Sequence, residues 1–136
     1  MGAWDHTTFG NDDACDWGGD LRSCEDLSLV EETLDTVIDS KDEYLEAPES
    51  SQAIAAAEVV ARLQGRFGVR NAYTESVDEW VAAHPLTVPT ALAQKAHAAL
   101  DRILVRPSEL LELWEESDDF EAWKGTITEL KSRIQA

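Results

Sequence analysis

The sequence is short of several things, and each shortage removes a class of answer. It has two cysteines, Cys15 and Cys24. A chain of 136 residues can bury a core without staples, so both are expected as reduced thiols rather than a disulfide. No apolar run approaches the roughly 20 residues a membrane span needs. The first residues lack a basic stretch followed by an apolar one, so no secretory signal is read. Met1-Gly2 is followed by His6 where a myristoylation motif wants Ser or Thr. The expectation is a cytoplasmic protein. No useful length alternates with period two, apart from a few residues around Leu86 to Val88, which argues against sheets.

Chemical signatures are equally sparse. There is no Gly-x-Ser-x-Gly turn, and no glycine-rich phosphate loop, since Gly18-Gly19, Gly65 and Gly68 lack the flanking strand and the lysine. The three histidines, His6, His84 and His97, are scattered and complete no metal motif. Cys15 lies among acids, which blunt a thiol by raising its pKa. No catalytic residue and no cofactor is assigned. Positive charge is the scarcest commodity: 11 Lys and Arg stand against 28 Asp and Glu, a net charge of −17. A field of that sign repels nucleic acid and anionic membranes and speeds encounter with a basic partner.

What is present is helical periodicity nearly throughout, in a composition (43% hydrophobic, 29% charged) that is globular rather than disordered. Asn11 is a plausible N-cap, with Asp12 and Asp13 in the first turn and Gly18-Gly19 weakening or ending the helix. Ser28 with Glu31, and Ser76 with Glu79, read as capping boxes. Val30, Leu34, Val37 and Ile38 make one helical stripe. After Pro48, a narrow face of Ala53, Ala56, Ala57, Val60 and Leu63 invites close helix approach, and Gly65 and Gly68 are natural stops. Leu92, Ala96, Ala99, Leu100 and Ile103 line the next helix. Pro107-Ser108 begins another, with Leu110, Leu111, Leu113 and Trp114. Asp118 or Asp119 caps the last, whose stripe is Phe120, Trp123, Ile127, Leu130 and Ile134. The expectation is an all-α fold: one domain over residues 1–136, an irregular bundle of six or seven helices.

The acid is unevenly spread. Residues 1–60 carry 16 acidic and 2 basic side chains, a balance of −14. Within the opening stretch, Trp4, Phe9 and Trp17 are read as anchors onto the core, as Trp114 and Trp123 are later. Asp12, Asp13, Asp16 and Asp20 then point to water, as a solvated face or a partner-binding one. Arg62, Arg66 and Arg70, spaced by four, are read as an internal ion-pair stripe or a small anion patch, with Arg70 beyond the helix end.

MGAW at the start, NDDA followed by a Trp and GDL, YLEAPESSQAIAAAEVVARL, SELLELWEES and the EAW after it are then seen in one order. Over nearly the whole chain they resemble the bacterial family known as domain of unknown function 4259. That resemblance implies an all-helical bacterial protein without an assigned activity. It also implies that Trp4, Phe9, Asn11, Asp12, Asp16, Tyr44, Glu46, Pro48, Glu58, Glu109, Leu110, Trp114 and Glu115 matter to the family. The family's start is Gly-rich between the first Trp and the Phe, where this chain has Asp5-His6-Thr7-Thr8. Two functional expectations follow. The first is a non-catalytic interaction module, inhibitor-like or immunity-like, that binds a basic protein through Asp12, Asp13, Asp16 and Asp20. The alternative is a divalent-metal-binding protein or metal-assisted hydrolase built on Asp12, Asp16, Glu58, Glu109 and Glu115.

Overall fold

Asn11 opens the first helix as its residue type requires. Its backbone is extended and its side-chain oxygen accepts from the Ala14 N–H at 2.8 Å, satisfying a donor that the helix start leaves orphaned. The computed structural model describes residues 6–136, and Trp4 lies outside them. It contains α1 (Asp12–Leu21), α2 (Ser28–Ile38), α3 (Ala47–Leu63), α4 (Glu75–Ala83), α5 (Thr90–Ile103), α6 (Glu109–Glu115) and α7 (Phe120–Arg133). Among the described residues there is no strand; a bare parallel bridge joins Leu45 and Ser108. The helices form a single irregular all-α bundle. No helix is long and apolar enough to cross a membrane.

The bundle is organised around α3, and here the structure corrects the expected narrow face. Ser50, Ser51 and every residue from Ala53 to Arg62 are buried, whereas Leu63 is only half-buried. Every other helix packs against α3. Alanine makes this feasible: with side chains one carbon long, neighbouring backbones can approach the helix from all sides. Pro48 sits in the first turn, where no N–H is needed. The helix ends in a Schellman arrangement, with Gly65 N–H on Arg62 O (2.9 Å) and Arg66 N–H on Ala61 O (2.9 Å). Gly65 holds φ +81°, a left-handed conformation that an L side chain rarely adopts.

Both capping boxes differ from expectation. Neither Ser28 nor Ser76 caps through its side chain; each already lies inside its helix. Asp26 instead accepts from the Ser28 N–H at 3.0 Å, which holds its carboxyl below the usual range. Asn71 accepts from Thr74 N–H and Thr74 Oγ accepts from Asn71 N–H, a closed turn that delivers α4. Phe9, Trp17, Trp114 and Trp123 are all buried. The Trp17 indole N–H donates to Thr33 Oγ at 2.8 Å, and that hydroxyl donates to Leu29 O at 2.7 Å, tying α1 to α2. Trp114 and Trp123 stack with centroids 6.1 Å apart, joining α6 to α7.

The Gly18-Gly19 pair does not end α1. Gly18 is buried, and a β-carbon there would meet Val77 at 3.3 Å and Phe9 at 3.9 Å, so the glycine admits α4 and the opening turn. A β-carbon at Gly19 would meet nothing within 4 Å. Gly19→Ala therefore stabilises the chain by about 0.5–1 kcal/mol, the helix-interior preference of Ala over Gly. Gly18→Ala gains less, or loses, because Val77 must give way. Urea denaturation of the two variants checks the order.

Candidate functional site

Within the apolar run of α3 stand two charges one turn apart, Glu58 and Arg62, only 2% and 1% exposed. A charge buried like this is tolerable only when paired and hydrogen-bonded. The structure meets that condition fully. Glu58 Oε1 accepts from Arg62 Nη1 and from Arg133 Nη1 (3.0 Å). Glu58 Oε2 accepts from Arg133 Nη2 (2.8 Å) and from the Thr8 hydroxyl (3.0 Å). A carboxylate has about four acceptor positions. All are taken by protein donors, which leaves Glu58 an anchor.

The network extends in both directions. Arg62 Nε donates to Asp78 Oδ1 at 2.7 Å, its Nη2 donates to Val69 O, and its guanidinium lies 5.6 Å from the Phe67 ring centroid. Asp78 Oδ2 accepts from Thr74 Oγ at 2.8 Å, with Arg70 Nε 3.7 Å away. Arg133 Nε reaches Glu129 at 2.7 Å, and its Nη1 donates to Arg66 O at 3.1 Å. Burial opposes the charge on Arg133, but its bonds to Glu58 and Glu129 outweigh that and raise its pKa. The opening turn, α3, the segment after it, α4 and the last turn of α7 are thus pinned at one point. Gly68 belongs to it as well: a β-carbon there would sit 2.7 Å from the Arg133 guanidinium.

Of the arginine triad, only Arg62 is internal; Arg66 and Arg70 are exposed on the segment after α3. Sequence reading missed Thr8, Asp78 and Arg133 as partners. The legible signal was a Glu and an Arg spaced by four inside an otherwise apolar stretch. A cleft of about 350 Å³ adjoins the network, lined by Thr8, Glu58, Gly125, Thr126, Glu129 and Arg133 among others. His6 and Thr126, both in its lining, are bonded Nδ1 to Oγ at 3.0 Å.

The five carboxylates considered as metal ligands are not brought together. Asp12 and Asp16 are exposed on α1. Glu58 is in the network. Glu109 sits about 16 Å away along α3, counted at 1.5 Å per residue from Glu58 to Ala47, where its Oε1 accepts from the Ala47 N–H at 2.8 Å. Glu115 pairs with Arg106. Among the described residues no three His, Cys, Asp or Glu are grouped to hold an ion. Of the proposed partner-binding residues, Asp12, Asp16 and Asp20 are exposed, Asp13 is half-buried, and no described cation pairs with any of them. Beside them, burial pushes the Cys15 thiol up, and the charges of Asp12 and Asp16 add to it. The thiol itself donates to Phe9 O at 3.3 Å.

At the N-terminal end of α3 lies a second cleft, about 500 Å³, lined by Tyr44, Arg106, Glu109, Glu112, Leu113, Glu115 and Glu116. Partial desolvation, with the charges of Glu112 and Glu109, raises the Tyr44 hydroxyl pKa. Arg102 closes the backbone beneath by donating to the carbonyls of Lys41 (2.8 Å), Glu43 (2.8 Å), Val105 (3.0 Å) and Pro107 (2.9 Å).

Two outcomes follow from this geometry. Glu58→Gln leaves the buried Arg62 and the part-buried Arg133 each one counter-charge short and costs about 3–5 kcal/mol, whereas Thr8→Val costs about 1 kcal/mol; equilibrium denaturation reads both. In a Cys24→Ser background, Cys15 reacts slowly with a disulfide reagent at pH 8. Adding Asp12→Asn and Asp16→Asn lowers the thiol pKa, raises the thiolate fraction and speeds the reaction; stopped-flow absorbance measures the change.

Comparison with known proteins adds the family. No curated protein and no solved structure matches the chain. The family described as domain of unknown function (DUF4259) matches residues 2–126. That span takes in the opening turn, α3 and the whole Glu58 network except Glu129 and Arg133. The chain belongs to the DUF4259 family.

Proposed function

We propose that the protein is a non-catalytic interaction module that captures a basic protein, as an inhibitor or immunity-type partner does, through the carboxylates of α1. The observation that carries this reading is where the few cations go. Arg62 and Arg133 serve the buried network, and Arg102 serves four backbone carbonyls. Lys95 bridges Glu31 and Asp35, Lys131 pairs with Asp101, and Arg106 pairs with Glu115. The fold thus spends cations on itself. Asp12, Asp13, Asp16 and Asp20 have no described counter-ion, on a helix anchored by the buried Trp17 and Leu21. Such a face accelerates encounter with a positive surface and loses that advantage in salt.

The test compares the natural chain with a variant carrying Asp12→Asn, Asp13→Asn, Asp16→Asn and Asp20→Asn, both verified as folded by circular dichroism. Immobilised natural chain retains a basic protein from a lysate and releases it at moderate salt. Its association rate with the purified partner falls about tenfold in the variant at low ionic strength and converges with it in 1 M salt. An empty column, or equal association rates for the two chains, overturns the reading.

A further inference from the structure

Two polar side chains beside the opening turn have hydrogen-bonding capacity that no described residue uses. Ser51 on α3 is 5% exposed, and its hydroxyl bonds to nothing among the described residues. Asn11 caps α1 through Oδ1, but its Nδ2 protons have no described acceptor. Both residues line one small cavity of about 20 Å³, together with Thr8, Thr126, Ile54 and Trp123 among others. A hydroxyl buried without a partner forfeits the bond it would make to water outside, so native proteins rarely leave one orphaned. Two such groups on the same cavity point to something held inside it.

The two threonines supply the complementary acceptors. Thr8 gives its hydroxyl proton to Glu58 Oε2 at 3.0 Å, and Thr126 gives its own to Ala122 O at 3.0 Å. Because the Thr126 proton is committed, His6 Nδ1 carries the hydrogen in the bond between them. A hydroxyl oxygen has two lone pairs. Thr126 Oγ therefore keeps one beyond the His6 bond, and Thr8 Oγ keeps both. The lining thus offers a carboxamide that donates, a serine hydroxyl that does either, and two oxygens that accept.

Size and donor set together select the occupant. A water needs roughly 10–15 Å³ of such space and two to four polar partners. The cavity meets both conditions, and about 20 Å³ is too small for an organic ligand. Its described lining holds no carboxylate, Lys or Arg, so nothing there selects an ion. We propose that one ordered water occupies this cavity, accepting from Asn11 Nδ2, bonding Ser51 Oγ and donating to a threonine oxygen. It joins the start of α1 to α3 and, through Thr8, continues the Glu58 network toward the opening turn. His6, Thr7, Thr8 and Thr126 line both this cavity and the cleft of about 350 Å³, so the water exchanges with solvent by way of that cleft. The site uses none of the α1 aspartates and stands or falls separately from the capture of a basic protein.

The test is a crystal structure of the full natural chain at a resolution that shows ordered solvent, beside one of Ser51→Val. The natural chain shows a single spherical density peak about 2.7–3.2 Å from both Ser51 Oγ and Asn11 Nδ2. In Ser51→Val the added methyl fills the space and the peak is lost. A second readout needs only the natural chain in solution. The side-chain amide of Asn11, resolved by nitrogen labelling, shows a rotating-frame Overhauser cross-peak to water opposite in sign to the diagonal. An empty cavity with the Ser51 hydroxyl turned onto the Ala47 carbonyl overturns the proposal, as does elongated density from a larger solute. A peak that persists unchanged in Ser51→Val, or an Asn11 amide without the water cross-peak, overturns it too.

Discussion

One carboxylate, Glu58, sits in the middle of the bundle because α3 carries it there, and the arrangement around it answers to that fact. A buried carboxylate without donors would cost several kcal/mol. Arg62 supplies one donor from the same helix, but it cannot fill four acceptor positions. The remainder come from sequence-distant places: Thr8 in the opening turn and Arg133 in the last turn of α7. Arg62, in turn, needs a second carboxylate, and Asp78 provides it from α4. The need to satisfy one charge thus dictates how both ends of the described chain meet α3. It also explains why Gly68 lies under Arg133, where a β-carbon would strike the guanidinium.

The same network shapes the outside of the molecule. The chain has 11 cationic residues against 28 acids, and Arg62 is committed wholly to the buried Glu58 and the largely buried Asp78. The 28 acids are then left largely to the solvent side, most densely before residue 60. A strongly one-signed exterior is usually described as a property of surface composition. Here the interior contributes as well, because Arg62 and part of Arg133 face Glu58 rather than the surface acids. The family assignment fits this view without adding chemistry, since it names a domain of unknown function.

Several local features could be read directly from residue type. Asn11 caps α1, Pro48 occupies the first turn of α3, and Gly65 turns the chain left-handed after it. Each depends on a few neighbouring residues, so each is visible in a short window. The capping boxes at Ser28 and Ser76 show the limit. Their spacing is correct, but Asp26 and the Asn71–Thr74 turn lie slightly upstream and take the role. A cap is worth only about 1 kcal/mol, so a side chain slightly upstream can take the role from one at the right spacing. Gly18-Gly19 is a similar case: the intrinsic penalty is real, yet burial against Val77 and Phe9 keeps the helix intact.

What the sequence by itself determined is the class of the fold, the approximate position of its helices and the sign of its surface. These follow from periodicity, local hydrogen bonding and composition, none of which needs a partner from elsewhere in the chain. Which helix stands at the centre was decided only in three dimensions. The near-continuous apolar run from Ala53 to Ala61 is the mark of a helix buried all round, but Glu58 within it and Arg62 at its end argue for a polar side, and only the neighbours on every side of α3 resolve that conflict. The same holds for the carboxylates. Glu58, Glu109 and Glu115 are the same residue type in acidic or apolar settings, but one is locked between two arginines, one caps α3 and one pairs at the surface. Their roles differ because the donors that reach them come from segments up to 75 residues away.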